Sequence, residues 1–345
     1  MLLSRRQFGF AASAAALAAC SRQTSAPGDQ RVHVYSSRHY ETDRQLYAAF
    51  TEATGIEVRV LPAPGDQLLE RLRAEGDRTE ADLIVTADAG NLYRLKDAQL
   101  LQAVTTSALE AAVPDKLHDP EGYWWAFAKR ARIIIYRKDA VDPATLTSMD
   151  DLAQPRFRGQ VCARSSSNVY NLSLLAARIE RDGADAARAW ARRVRENFAR
   201  DPQGGDIEQI RAVAAGECQV AISNHYYMLR LMRSEDPADQ AAANAVGMIF
   251  PDQQGAGTHV NISGGGVSAY AGRRDNAVRL LEYLVGEDAQ RIIAPLNVEF
   301  PIRTDVPLTD QLAAIGPFKE EEVQLEALGR RQAEAAAIFE EVGWR

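Results

Sequence analysis

The stretch YWWAFAKRARIIIYRK, residues 123–138, is rich in aromatic and branched side chains and runs well past the usual length of a strand. Such a run predicts a segment that leaves one sheet and enters another. A second long β-like stretch, THVNISGGGVSAYAG at residues 258–272, carries a glycine triplet and matches a return crossing. Two extended crossings between two α/β units describe a hinged cleft, which closes around a ligand held between its halves.

The flanking sequence supplies the two units. RVHVYSS (31–37), IEVRVLPA (56–63) and ADLIVTAD (81–88) read as strands, and the segments between them carry apolar residues at helical spacing. This β-α-β-α-β order predicts a mainly parallel sheet covered by helices. Thr42 to Gln45 fits a capping box, and Gly55 closes that helix. RGQVCARSSS, NVYNLSLLAARIERDG, DIEQIRAVAAGECQVAISN and AVGMIFPDQ build the second unit. The end, from Phe318 to Trp344, reads as helix with a solvated charged face.

The chain has 345 residues, 46% of them apolar and 25% charged, with a net charge of −7. That composition fits a globular protein, and the acidic balance argues against a nucleic-acid partner. Outside the start no run is apolar for long enough to span a bilayer. Residues 1–20 form a signal peptide: Arg5 and Arg6 resemble a twin-arginine export signal, and Leu17 to Cys20 resemble a lipobox. Cleavage at Cys20 takes away both arginines and brings the charge to −9. Residues 21–30 are a polar tether, and a lipid on Cys20 would be the sole membrane contact. Cys162 and Cys218 can bridge in an oxidising compartment or serve as small buried apolar residues; the sequence leaves both open.

Chemistry concentrates at strand-to-helix corners, where open α/β sheets bind ligands. YSSRHYETD places His39 and Tyr40 after the first strand. ARSSSNVYNLSLL places Tyr170 after Ser165 to Asn168, where the Ser cluster either caps the helix or holds an anion on backbone N–H groups. ISNHYYMLRL sets Tyr226 and Tyr227 in a first helical turn behind Asn224, a good N-cap. Four phenols and an imidazole thus meet at three corners. Zinc would ask for Cys and His at short spacing, and calcium or magnesium for carboxylates. Phenolate is a hard oxygen donor, and Fe(III) suits it best. Ionising an ordinary phenol at neutral pH costs about 4 kcal/mol per ligand, which a trivalent ion can supply. Four tyrosinates on Fe(III) carry one net negative charge, which Lys129, Arg130 or Arg132 can balance.

Those residues resemble a known family, the ferric-iron-binding periplasmic proteins of ABC importers. The likeness is to the tyrosine-rich branch that includes the cyanobacterial iron-binding lipoproteins. YSSRHYETD, KRAR, NVYNLSLLA, IRAVAAGE and NHYYM follow that family's motifs in order, over about residues 31–340. The resemblance implies a periplasmic-binding-protein type II fold, with domain I at 31–129 plus 262–305 and domain II at 130–261 plus 306–345. It implies His39, Tyr40, Tyr170, Tyr226 and Tyr227 as metal ligands, with His39 either coordinating or only facing the site, and His225 without a role. Having Tyr40 argues against an obligatory partner anion. The cargo would be Fe(III), with Fe(II) as the other oxidation state, and the partners an ABC permease and its ATPase. The protein would work as a periplasmic monomer.

Two other classes were weighed. The same fold can carry a polyamine, thiamine, phosphonate or similar small ligand. An enzyme built on Ser166, Cys162 or His225 lacks a G-x-S-x-G elbow, and no P-loop or dinucleotide fingerprint occurs; catalysis is not expected.

Overall fold

The computed structural model describes residues 30–38, 40 and 42–345. The export signal, Cys20, the tether up to residue 29 and His39 lie outside the described residues. Among the described residues no helix is long and apolar enough to cross a membrane.

The strands are β1 (Arg31–Ser36), β2 (Glu57–Pro62), β3 (Leu83–Thr86), β4 (Leu101–Gln102), β5 (Trp125–Arg137), β6 (Val161–Cys162), β7 (Val220–Asn224), β8 (Val246–Ile249) and β9 (Val260–Ser268). They lie in the order β2-β1-β3-β9-β5-β7-β6, with β4 beside β9 and β8 beside β5. β1 pairs with β2 and β3 in parallel, as the β-α-β pattern predicts. The long run at 123–138 is one strand with two allegiances. Its residues Trp125 to Ala131 pair with β9, and Arg132 to Arg137 pair with β7 and β8. β9 returns antiparallel between β3 and β5.

The glycine triplet explains itself at Gly266, where a Cβ would stand 2.5 Å from the Tyr123 carbonyl oxygen. Only glycine lets the strands approach so closely there. The crossing is reinforced by a third segment: Lys129 and Phe300 exchange both backbone hydrogen bonds, at 2.8 and 2.9 Å.

Burial follows the two-unit pattern. One core gathers Val32, Phe50, Ile84, Trp124, Trp125 and Leu281 around β1 and β3. A second packs Leu152, Leu175, Trp190, Val220 and Trp344. A third joins Ile133, Ile135, Cys162, Cys218 and Tyr226 to Tyr40, which reaches it from the β1 side. The short helix Leu325–Arg330 sits against the helix Ala89–Asp97 on one side and Val169–Asp182 on the other.

Two local expectations are corrected. Thr42 occupies the N-cap position but lies in the αR region and makes no capping bond. Its hydroxyl pairs instead with the side chain of Asn297, a tertiary partner that outbids the local cap. The charged tail is not helical from Phe318 onward; helix begins at Leu325. The preceding residues are held extended, because Glu320 bridges to Thr258 and its carboxylate meets Lys129 and Lys116, each at 2.7 Å. Glu321 is buried against His259 Nδ1 at 2.8 Å and Arg181. Those acids are ion-pair partners, not a solvated face.

Cys162 and Cys218 form a disulfide, with their Cα atoms 5.8 Å apart and 56 positions between them in sequence. The bond ties β6 to the approach to β7, the two strands whose far ends lead to Tyr170 and Tyr226. Closing a loop of that size restricts the unfolded chain, so C162A/C218A is expected to lose about 4 kcal/mol of unfolding free energy. A urea melt should show a lower midpoint and a steeper slope, because the unlinked denatured chain exposes more surface.

Candidate metal centre

The first corner is built by the turn after β1. The Ser36 hydroxyl accepts the Arg38 N–H at 3.1 Å and donates to the Arg38 carbonyl at 3.2 Å, which turns the Arg38 side chain inward. Its guanidinium donates from Nε to Asp43, 2.8 Å from Oδ2, and lies 4.3 Å from the centroid of the Tyr40 ring. Tyr40 is buried.

The second corner follows β6. Asn168 caps the helix Val169–Asp182 by accepting the Tyr170 N–H at 3.1 Å. The cap is therefore the asparagine, while Ser165 and Ser167 bond to each other at 2.9 Å. Asn171 donates to the carbonyls of Arg164 and Ser165, fixing the turn that presents Tyr170.

The third corner is the start of the helix His225–Arg233. Asn224 has the extended geometry of an N-cap but makes no capping bond. Its side-chain amide oxygen Oδ1 accepts from Arg132 at 3.3 Å instead. Tyr226 is fully buried and Tyr227 half-buried, their rings 4.2 Å apart. The two phenols of one helical turn therefore stay side by side.

The corners meet. The Tyr170 and Tyr226 hydroxyl oxygens are 3.4 Å apart, and the Tyr40 ring stands 5.8 Å from the Tyr226 ring, edge to face. Guanidiniums enclose the group. Arg130, Arg164 and Arg132 lie 5.1, 5.7 and 5.9 Å from the Tyr170 ring centroid. Arg230 reaches Tyr40 at 4.6 Å, Tyr226 at 4.9 Å and Tyr227 at 5.9 Å. Of the cations expected from sequence, Arg130 and Arg132 are present, whereas Lys129 turns to Glu320. Arg38, Arg164, Arg230 and the buried Glu299 escaped the sequence reading. Arg230 was legible in principle, since it follows Tyr226 and Tyr227 by four and three positions, on one helical face.

Electrostatics keep Tyr40, Tyr226 and Tyr227 protonated without a metal. Burial pushes Tyr40 well above the ordinary phenol range; Glu299 and Tyr170 push the same way, while Arg130 and Arg38 pull it down. Tyr226 is raised by burial and by its tyrosine neighbours, and Tyr227 by burial and then Tyr170. His225 behaves differently. Burial holds its imidazole down to about 3, so the ring is neutral. Nδ1 accepts the Ala131 N–H at 3.1 Å and Nε2–H donates to the Val298 carbonyl at 3.0 Å. It is a strut between β5 and the residues just before Phe300, with both nitrogens engaged.

Among the described residues no three His, Cys, Asp or Glu side chains group as a metal site. The oxygen donors that converge are phenols. A cavity of about 300 Å³ opens beside Tyr170 and Tyr227, lined also by Asn91, Arg94, Arg164, Ser167 and Asn168. A larger one, about 940 Å³, lies elsewhere beside Trp190 and Asp252 and touches none of the four tyrosines.

The family described as bacterial extracellular solute-binding protein matches residues 45–319. The chain is 44% identical over 335 residues to iron uptake protein A1 of Synechocystis, covering 95% of this chain and 93% of that protein. It is similar to a Trichodesmium protein solved with iron and citrate ligands, at 45% identity and a TM-score of 0.87, over 91% of this chain and 100% of that one. A ferric binding protein from Campylobacter jejuni gives 39% identity and a TM-score of 0.88, with the same shares covered. The curled sheet with its switching strands is accordingly the type II periplasmic-binding-protein fold. By the extent of the family match and these identities, the chain belongs to the bacterial extracellular solute-binding proteins.

Proposed function

We propose that this protein captures ferric iron between its two halves, through the phenolates of Tyr40, Tyr170, Tyr226 and Tyr227 with His39 as a further ligand, and delivers it to an ABC importer. The halves in this proposal are residues 31–129 with 262–305, and 130–261 with 306–345. One observation carries it: phenols from three separate corners are packed together under guanidiniums, with the Tyr170 and Tyr226 oxygens 3.4 Å apart. Buried phenols grouped this way repel ionisation, and a compact trivalent cation reverses the balance by offering each oxygen a charge. The residual negative charge of four phenolates on Fe(III) falls beside Arg130, Arg164 and Arg230. Fe(II) would leave one more negative charge on the same donors, so ferric iron is the better cargo.

The role is transport rather than catalysis, carried out by a monomer that meets a permease and its ATPase. The twin arginines at Arg5 and Arg6 would export the chain folded, and a lipid on Cys20 would hold it at the membrane. A second reading rests on the 300 Å³ cavity with Arg94 and Arg164 in its wall, whose charge and size suit a small oxyanion as cargo.

Titration with ferric citrate separates the two. Stoichiometric uptake with a visible phenolate-to-iron band is the expected result; a featureless spectrum would favour the oxyanion. The Y226F/Y227F variant should lose the band and the tight binding, and keeping both would refute the ligand assignment. The phenols enter the metal-free site protonated, and each one that ligates gives up a proton. Affinity must therefore rise with pH and fall as the medium acidifies, with up to about four protons released per ion; a pH-stat during loading counts them. For the anchor, C20A should move the protein from the membrane fraction to the soluble periplasmic fraction.

A further inference from the structure

The segment Asn297 to Phe300 touches the first and third tyrosine corners and the crossing strand β5. Asn297 pairs with Thr42 beside the first corner. Val298 accepts from His225 at the third corner, at 3.0 Å. Phe300 is paired to Lys129 of β5 and stacks on His225 with ring centroids 4.6 Å apart. Val298 itself is held at φ 50°, ψ 34°, a left-handed conformation that is costly for a β-branched residue. Strain of this kind persists only where surrounding contacts enforce it.

Glu299 lies in the middle of this segment and is fully buried. Its carboxylate stands 2.8 Å from Arg38 Nη2 and 3.8 Å from Arg130 Nη1. Among the described residues neither oxygen makes an aligned hydrogen bond, and the two guanidiniums are its nearest opposite charges. Each guanidinium in turn covers one tyrosine: Arg38 covers Tyr40, and Arg130 covers Tyr170. Those tyrosines follow strands on opposite sides of the β9–β5 pair, β1 and β6.

We propose that Glu299 is a positioning residue for metal capture, one carboxylate that registers Tyr40 and Tyr170 to each other through Arg38 and Arg130. The proposal rests on the ferric-iron function above. A buried anion between two cations fixes their separation, and each cation's face fixes the tilt of a ring. Glu299 acts through the two guanidiniums; it sets the frame in which phenols from two sides present oxygens to one ion.

The test uses the full mature chain, with ferric citrate as the iron source and a chelator in excess to draw the iron back out. E299Q removes the charge. E299D keeps the charge but shortens the reach by one methylene, and it compensates the buried arginines well enough to fold if E299Q does not. Both variants should show a shifted phenolate-to-iron band and lose iron at least about tenfold faster than the parent, the scale of coupling between groups in contact. E320Q, which alters a carboxylate facing Lys129 and Lys116, should match the parent. Folding is checked by circular dichroism and thermal melting. An E299D variant with the parent's band and release rate overturns the proposal, since it would reduce Glu299 to a mere counter-charge. A parent protein that takes up no iron would instead sink the ferric-iron function and be recognised by the missing band.

Discussion

A single strand answers to both halves of the molecule. At the step from Ala131 to Arg132, β5 leaves β9 and takes β7 and β8 as partners. Residues two apart on a strand share a face, so Arg130 and Arg132 project together, one on each side of that step, and both reach Tyr170. The residue between them, Ala131, gives its N–H to His225 at the head of the tyrosine-bearing helix. Fold and site therefore share one element.

The buried charges are arranged around that strand with little slack. Arg132 donates to Asp206 at 2.6 Å and to Asn171 at 2.7 Å, so it is neutralised by its own half. Arg164 shares the same Asp206, at 2.5 Å. Arg38 uses Asp43 and Glu299. Arg130 has a 3.8 Å approach to Glu299, a 3.2 Å bond to the Ser263 hydroxyl and the attraction of the buried Asp88 carboxylate, and it also faces the phenols. A buried guanidinium without a closely bonded carboxylate gains from a further anion nearby. Under the ferric-iron function proposed above, tyrosinate would be that anion, formed as the metal displaces the phenol protons.

Much of this was legible along the chain because it is local. Strand-to-helix corners announce themselves through alternation followed by helical spacing, and each corner keeps its tyrosine whichever way the halves turn. The long β5 run betrayed the crossing by its length alone. What was missed is tertiary in origin. Thr42 has the sequence of a cap and loses that role to Asn297, which is 255 positions away. Lys129 sits in the same KRAR motif as Arg130 and Arg132, yet it lies on the other face of the strand and is taken by Glu320 at 2.7 Å. The acids at 320 and 321 look like a solvated run until their partners from β5, β9 and the helix Val169–Asp182 are in place. Glu299 carries no periodic or motif signal at all, since its value lies in where two distant arginines happen to meet.

The donor type also decides how the empty centre survives. A preassembled cage of carboxylates would bring several ionised groups together with nothing between them, and such a site either repels itself open or takes up protons to survive. Phenols avoid the conflict by staying neutral well beyond physiological pH when buried, as Tyr40 and Tyr226 do. They can pack ring against ring and ring against guanidinium as part of an ordinary core, which is why Tyr40 belongs to the same apolar cluster as Ile133 and Tyr226. Under the ferric-iron function, the cluster then switches from core to ligand set only when a cation strong enough to expel protons enters. Weakly charged ions meet neutral oxygens and gain little, so the selection is made by the energy of ionising a buried phenol rather than by the size of a cage.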